Sequence, residues 1–288
     1  MNCNICPRHC NIDRSHNIGY CRQTDTLSLA RAQLHLWEEP LICQGKGSGA
    51  IFFAGCNLRC VYCQNFEVSR GKGKQITPLR LADIFKELED NEACNINLVT
   101  PTHFARQIVD AFNIYKPNLP IVYNCGGYES KNTLDMLSGI VDIYLPDFKY
   151  SDNSLAMRLS NANDYFEVAS QAIEIMRRQV GKDIFKQSIL NENSCDSAVT
   201  ANTSGNVLQD ANMAFATDTN ALTDGKYLMT RGMIIRHLVL PNHLDNTFGV
   251  IDYLAHNIDH NSIISLMGQY LPYGDALNFE DINRRLKP

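Results

Sequence analysis

The stretch GSGAIFFAGCNLRCVYCQN, residues 47–65, decides how the rest of the chain is read. Within it AIFFAG (50–55) is short, apolar and ended by Gly55, the pattern of a buried strand. Cys56, Cys60 and Cys63 follow at once, spaced Cys-x3-Cys-x2-Cys, with the aromatic Tyr62 before the last. Thiolates are the usual ligands of iron–sulfur clusters. Three of them hold three irons of a [4Fe–4S] cube and leave the fourth open to chelate a small molecule, which an electron-transfer cluster with four cysteines does not offer. A three-thiolate zinc site is the competing reading. The spacing, the place directly after a strand and Tyr62 weigh against it.

Beyond this loop, strand and helix signals alternate. Thr77-Pro78 reads as an N-cap with proline at the first helical position, followed by Leu81, Ile84, Phe85 and Leu88 at helical spacing. NINLV (95–99) is a second strand, and Phe104, Ile108, Ala111, Phe112 and Tyr115 mark a helix stopped at Pro117. LPIVYN (119–124) and VDIYLP (141–146) are strands three and four, with a short helix over 131–137 between them. A helix over 164–180 carries Phe166, Ala169, Ile173, Met176 and Val180 on one face. GMIIRHLVLP (232–241) and SIISLM (262–267) are strands five and six, separated by a helix near 247–256. Six buried strands separated by helices predict an α/β fold, a parallel sheet or open barrel that places ligands at the C-terminal ends of its strands.

Residues 1–49 read as a Cys-rich head with an irregular lead-in over 23–49, and 50–288 as the α/β unit. One stretch breaks the α/β pattern. Residues 187–225 carry five acids and no Lys or Arg, which accounts for the whole net charge of −5, and Asn, Ser, Thr and Asp fill more than half of 191–224. Such a polar stretch buries too little surface to offset its ordering entropy, so it is expected to be a mobile insertion.

Composition excludes several classes. The chain has 288 residues, 44% hydrophobic and 20% charged. No apolar run approaches the ~18 residues of a membrane span, and no basic footprint points to nucleic acid. MNCNICPRHCNIDR has no apolar core of a secretory leader, so a cytoplasmic location is expected. Eleven cysteines in a reducing compartment favour metal ligation over disulfides.

Cys-x3-Cys-x2-Cys with an aromatic before the third cysteine is the signature that this chain shares with radical S-adenosylmethionine (SAM) enzymes. GSGAIFFAGCNLRCVYCQN resembles the subgroup related to pyruvate formate-lyase activating enzyme, as do NINLVTPTHF, DIYLPDFKY, IIRHLVLPNH and the head CNICPRHC. The resemblance covers nearly the whole chain except 187–225. It implies a partial (β/α)6 barrel and an oxidoreductase that binds a [4Fe–4S] cluster and SAM. A one-electron donor such as flavodoxin or ferredoxin reduces the cluster, and SAM is cleaved to methionine and a 5′-deoxyadenosyl radical. The basic stretch SRGKGK (69–74) reads first as a solvated loop, with docking of the acidic donor nearby as the second reading. A protein or peptide substrate, such as a partner that receives a glycyl radical, follows from the subgroup; a small-molecule substrate and a non-catalytic electron carrier stay open as alternatives.

The resemblance also points to SAM contacts at strand ends. Tyr62 is one. Thr100, Thr102 and His103 stand in VTPTH, where many family members have Gly-Gly-Glu, so the receiver of the SAM amino group differs in this chain. Asn124 ends strand three, Asp147 and Lys149 follow strand four in PDFK, and Arg236 and His237 are neighbours on strand five. Neighbours on a strand point to opposite faces, so at most one of Arg236 and His237 faces the interior. Cys3, Cys6, Cys10 and Cys21 offer four thiolates, which suit a structural zinc ion or a second iron–sulfur cluster. Cys125, in YNCGGY, reads as a small buried residue. GKGSG (45–49) lacks a phosphate loop's ending and reads as a turn.

Overall fold

A computed structural model describes residues 3–187 and 227–287. The acidic stretch singled out above therefore lies, apart from Gln187, outside the described residues. Among these, nine strands form one sheet: β1 (Ser28–His35), β2 (Ser48–Phe53), β3 (Lys74–Gln75), β4 (Ile96–Val99), β5 (Ile121–Cys125), β6 (Ile143–Pro146), β7 (Ile184–Gln187), β8 (Tyr227–Leu238) and β9 (Ile263–Met267). The helices are α1 (Phe66–Ser69), α2 (Pro78–Asp90), α3 (Ala105–Ile114), α4 (Lys131–Leu137), α5 (Asn153–Ser160), α6 (Tyr165–Val180) and α7 (Leu244–Asn257).

The six strands expected from the apolar runs are β2, β4, β5, β6, β8 and β9. They pair in that order, all parallel. At the flanks β1 runs antiparallel to β2, β3 to β1, and β7 to β8. Local chemistry explains the long helices. Thr77 Oγ1 accepts the Arg80 N–H at 3.1 Å, Pro78 takes the first helical position, and Leu81, Ala82, Ile84, Phe85 and Leu88 form the buried face of α2. The 16 residues of α6 bury Tyr165, Ala169, Ile173, Met176 and Val180.

Residues 23–49 are not irregular throughout, since β1 lies among them. SLARAQLH has two alanines, poor strand formers, and three exposed residues in a row. Its pairing with β2, from Leu29↔Phe53 to His35↔Ser48 with a bulge after Leu29, overrides that weak local signal.

Side-chain alternation separates two cores. Tyr123, Tyr144 and Ile235 face outward into the large core shared with the helices. Val122, Ile143, Leu145 and Ile234 face inward and pack with Leu41 and Ile42 from the β1–β2 connection, which plugs the barrel interior toward the strands' N-terminal ends. The inner face also carries the polar residues Asn97, Asn124, Arg236 and Ser265. No described helix is long and apolar enough to cross a membrane.

Candidate active site

Cys56, Cys60 and Cys63 lie on the loop that leaves β2 at its C-terminal end. Gly55 makes the turn possible: its φ is +87°, and a Cβ there would run into the Cys21 carbonyl oxygen. Each sulfur has a hydrogen-bond donor. The Leu58 N–H points at Cys56 Sγ (3.3 Å), the Ser160 hydroxyl donates to Cys60 Sγ (2.9 Å), and the Asn65 backbone N–H serves Cys63. Burial, with the neighbouring thiols adding to it, pushes Cys56 up to about 12 and raises Cys63, so metal loading must displace thiol protons. Three thiols with N–H and O–H donors on their sulfurs suit an anionic iron–sulfur cluster.

Tyr62 is buried, and its hydroxyl meets that of Tyr150 at 2.7 Å. Tyr150 in turn meets Ser160 Oγ at 2.6 Å. Because the Ser160 proton goes to sulfur, Tyr150 donates to Ser160 and Tyr62 to Tyr150, a directed chain ending on Cys60.

A partly buried charge network crosses the barrel interior. Lys149 Nζ pairs with Asp147 Oδ2 at 2.6 Å and lies within electrostatic reach of Cys60 and Cys63. Asp147 Oδ1 takes two guanidinium nitrogens of Arg236, each at 2.9 Å. Arg236 also donates to Asn124 Oδ1 (2.7 Å) and reaches Glu38 Oε1 (3.4 Å). Glu38 accepts from Asn97 at 2.7 Å, and its neighbour Glu39 from Ser265 at 3.0 Å. Burial raises the Asp147 carboxyl, but Arg236 and Lys149 outweigh it and hold the group below the usual range. Burial, partly offset by Arg236, raises Glu39.

Of the strand-end residues read from the sequence, Asn124, Asp147, Lys149 and Arg236 thus come together. His237 faces the other way: Nδ1 meets Phe148 O at 2.7 Å and Nε2 meets Thr247 Oγ1 of α7 at 2.9 Å. Thr100 has φ 57°, an outlier for a β-branched residue, and its N–H donates to Asn124 O at 2.8 Å. Thr102 Oγ1 donates to Glu129 Oε1 at 2.8 Å. His103 donates from Nε2 to Ala54 O at 2.7 Å, and burial pushes its pKa down to about 3. In the basic stretch, Arg70 pairs with Asp275 and Lys72 with Glu67.

Sequence reasoning missed two carboxylates. Glu38, in LWEEP, has the look of a solvated turn. Glu129 follows Gly126-Gly127-Tyr128 after β5, and that glycine pair next to an acid was the available signal. Glu129 is 3% exposed and accepts from Thr102 and from the Tyr123 hydroxyl (2.9 Å). Burial pushes its pKa up to about 7 against those hydrogen bonds.

The head packs behind the cluster loop. Arg8 donates to the Asn57 (2.6 Å), Ser160 (3.1 Å) and Asn161 carbonyls. Cys6 interacts electrostatically with Cys10 and Cys21, and Cys21 with Cys3 and Cys10. Among the described residues no three His, Cys, Asp or Glu side chains close on a single-ion site, which holds for the head and for Cys56, Cys60 and Cys63 alike. A cleft of about 650 Å³ lined by Ile42, Pro117, Asp142 and Met229 lies at the strands' N-terminal ends, away from all of these groups.

Residues 50–189 match the profile of the Radical SAM superfamily. An uncharacterised protein of Methanocaldococcus jannaschii is 31% identical over 296 residues, covering 99% of this chain and 70% of its own length. Among solved structures, methylornithine synthase aligns at 13% identity with a TM-score of 0.46, over 81% of this chain and 56% of its own. The radical SAM methyltransferase TsrM of Kitasatospora setae, with cobalamin and a [4Fe–4S] cluster bound, aligns at 12% with a TM-score of 0.47, over 76% and 36%. The chain therefore spans less than two thirds of either solved protein.

Proposed function

We propose that this chain, which belongs to the radical SAM superfamily, acts on a protein or peptide, installation of a glycyl radical in a partner being the form favoured by its resemblance to activating enzymes. The observation that carries the reading is the β2 loop: three thiols at the C-terminal end of a strand, each sulfur met by a hydrogen-bond donor. With cluster and SAM bound, the chemistry supplied is one-electron cleavage of SAM to methionine and a 5′-deoxyadenosyl radical that takes a hydrogen atom from the substrate.

The chain's own residues hold and surround these groups. Cys56, Cys60 and Cys63 are the cluster ligands. Asn124, Asp147, Lys149 and Arg236 are the SAM-facing set, supported by their shared inward face and by the reach of Lys149 to Cys60. Tyr62 acts through Tyr150 and Ser160 on the Cys60 sulfur. His237, both of whose ring nitrogens are engaged, anchors α7.

An extended substrate is favoured because, among the described residues, β9 pairs with β8 and not with β1, so the sheet stays open along one side. A small polar substrate is the second reading, favoured by the interior set Glu38, Asn97 and Asn124. The test is anaerobic purification, cluster reconstitution, and measurement of 5′-deoxyadenosine after adding dithionite and SAM. Wild type should form it and Cys60→Ala should not. Equal yields from the two would refute the assignment of the cluster ligands.

A further inference from the structure

We infer that Cys3, Cys6, Cys10 and Cys21 ligate a second metal centre, bound by four thiolates, that clasps the N-terminal head against the SAM-cluster loop. This goes beyond the function proposed above and does not depend on SAM cleavage.

Residues 3–24 contain neither a helix nor a strand of the sheet. Their buried apolar side chains are few, Ile5, Cys6 and Cys21. A segment of this kind has too little apolar surface to offset the ordering of its backbone and needs a cross-link or a metal. Yet it is held in place at many points. Ile5 O accepts from the Ser130 (2.9 Å) and Thr133 hydroxyls. The guanidinium groups of Arg8 and Arg59 stand 4.1 and 3.8 Å from the centre of the Tyr20 ring, and Tyr20 directly precedes Cys21 just as Arg59 directly precedes Cys60.

Cys21 lies within electrostatic reach of Cys3, Cys6 and Cys10, although the thiols do not yet close on a single-ion site. The Tyr20 N–H points at Cys10 Sγ at 3.4 Å. Cys3 is tied back by its N–H to Ile12 O (2.8 Å) and by its carbonyl to the Asn11 N–H (3.0 Å). Arg14 places a positive charge beside one of these thiols. It is 7% exposed, its Nε has no partner, and its Nη1 lies 4.0 Å from Cys3 Sγ. Nη1 and Nη2 also donate to the His103 (2.8 Å) and Thr24 carbonyls, which fix the guanidinium in place, and a buried cation held beside Cys3 favours a thiolate there.

The backbone of the head repeats a device of the cluster loop. Arg59, before Cys60, is left-handed at φ 61°. In the head, His9 and Asn11 flank Cys10 at φ 41° and 51°, and Arg22 follows Cys21 at 61°. Left-handed residues other than glycine persist only where the surroundings fix them. In both cysteine sets, closure of the thiols is a step of metal loading.

Tetrahedral Zn²⁺ and an iron–sulfur cluster share this ligand chemistry, and metal analysis separates them. The full chain carrying C56A, C60A and C63A together lacks the SAM-cluster ligands. It is purified anaerobically after growth with zinc, or reconstituted with iron and sulfide. Elemental analysis should find one zinc, or about four irons with matching sulfide, per chain, and adding Cys6→Ser with Cys21→Ser should abolish it. A metal-free triple variant whose circular dichroism matches the wild type overturns the proposal. So does metal that survives both serine substitutions, or two head disulfides found by peptide mapping. Where the serine variant does not fold, X-ray absorption on the triple variant decides: about four sulfur neighbours support the site, and a shell dominated by nitrogen or oxygen refutes it.

Discussion

Replacing Glu129 with glutamine turns the burial of that carboxyl into a measurable quantity. In the folded chain it takes up its proton near pH 7, against 4.5 for an ordinary glutamate. Between those values the folded state binds a proton that the unfolded state has lost, so stability falls as pH rises through the window and levels off above it. At ~1.36 kcal/mol per pH unit, the whole penalty is on the order of 3 kcal/mol, and about 2–3 kcal/mol of it develops between pH 5 and pH 8. Glutamine is close in shape and never ionises, and the Thr102 and Tyr123 hydroxyls accept as well as donate. Urea unfolding of both proteins, with the cluster removed and pH stepped from 5 to 8, should therefore show Glu129→Gln gaining on the wild type by that amount. Taking the difference cancels the other raised carboxyls, Glu39, Asp142 and Asp183. A difference curve that stays flat, or slopes the other way, would mean that the hydrogen bonds from Thr102 and Tyr123 already stabilise the ion and that burial is not the dominant force at this site.

Three further outcomes follow from particular contacts. Ser160→Ala removes the 2.9 Å hydrogen bond to Cys60 Sγ. Hydrogen bonds to cluster sulfurs help set the potential, and losing one should leave the cluster loaded but with a more negative midpoint in an EPR-monitored titration; an unchanged midpoint would remove Tyr62 and Tyr150 from any part in tuning it. Asp147→Asn strips the shared counter-charge from the partly buried Lys149 and Arg236. It should lower unfolding free energy by roughly 1.5–3 kcal/mol, while a loss below about 1 kcal/mol would show that Glu38 suffices to hold Arg236. Thr77→Ala deletes the cap on Arg80 N–H and should cost about 1 kcal/mol in chemical denaturation with the cluster spectrum unchanged.

Local pattern carried much of the fold. Short, largely apolar runs such as IFF and INLV are mostly buried on both faces, as central parallel strands require, so the six strands were legible from the sequence. The cluster loop was legible for a different reason: its chemistry depends on spacing along the chain. β1 escaped because its pairing with β2, not its own composition, makes it a strand. Glu38 and Glu129 escaped because a buried carboxylate is defined by partners distant in sequence. Glu38 meets Asn97, Asn124 and Arg236, which lie 59, 86 and 198 residues away.

That separation bears on how the interior works. Lys149, Asp147, Arg236 and Glu38 alternate in sign from the cluster loop to the barrel floor, so no single charge in the row can change partner without disturbing the next. Five inner strands and the β1–β2 connection contribute to the network through Asn97, Asn124, Arg236, Ser265, Asp147 just beyond β6, and Glu38 with Glu39. A ligand carboxylate that competes for Arg236 or Lys149 must displace Asp147 or Glu38, and the displaced acid then needs a cation or a proton. Glu39, already raised by burial and beside Glu38, offers a proton site next to the network. Carboxylate binding in this barrel should therefore be accompanied by proton uptake, visible as a buffer-dependent enthalpy in calorimetry, and an enthalpy independent of buffer would mean that the network admits its ligand without releasing an acid.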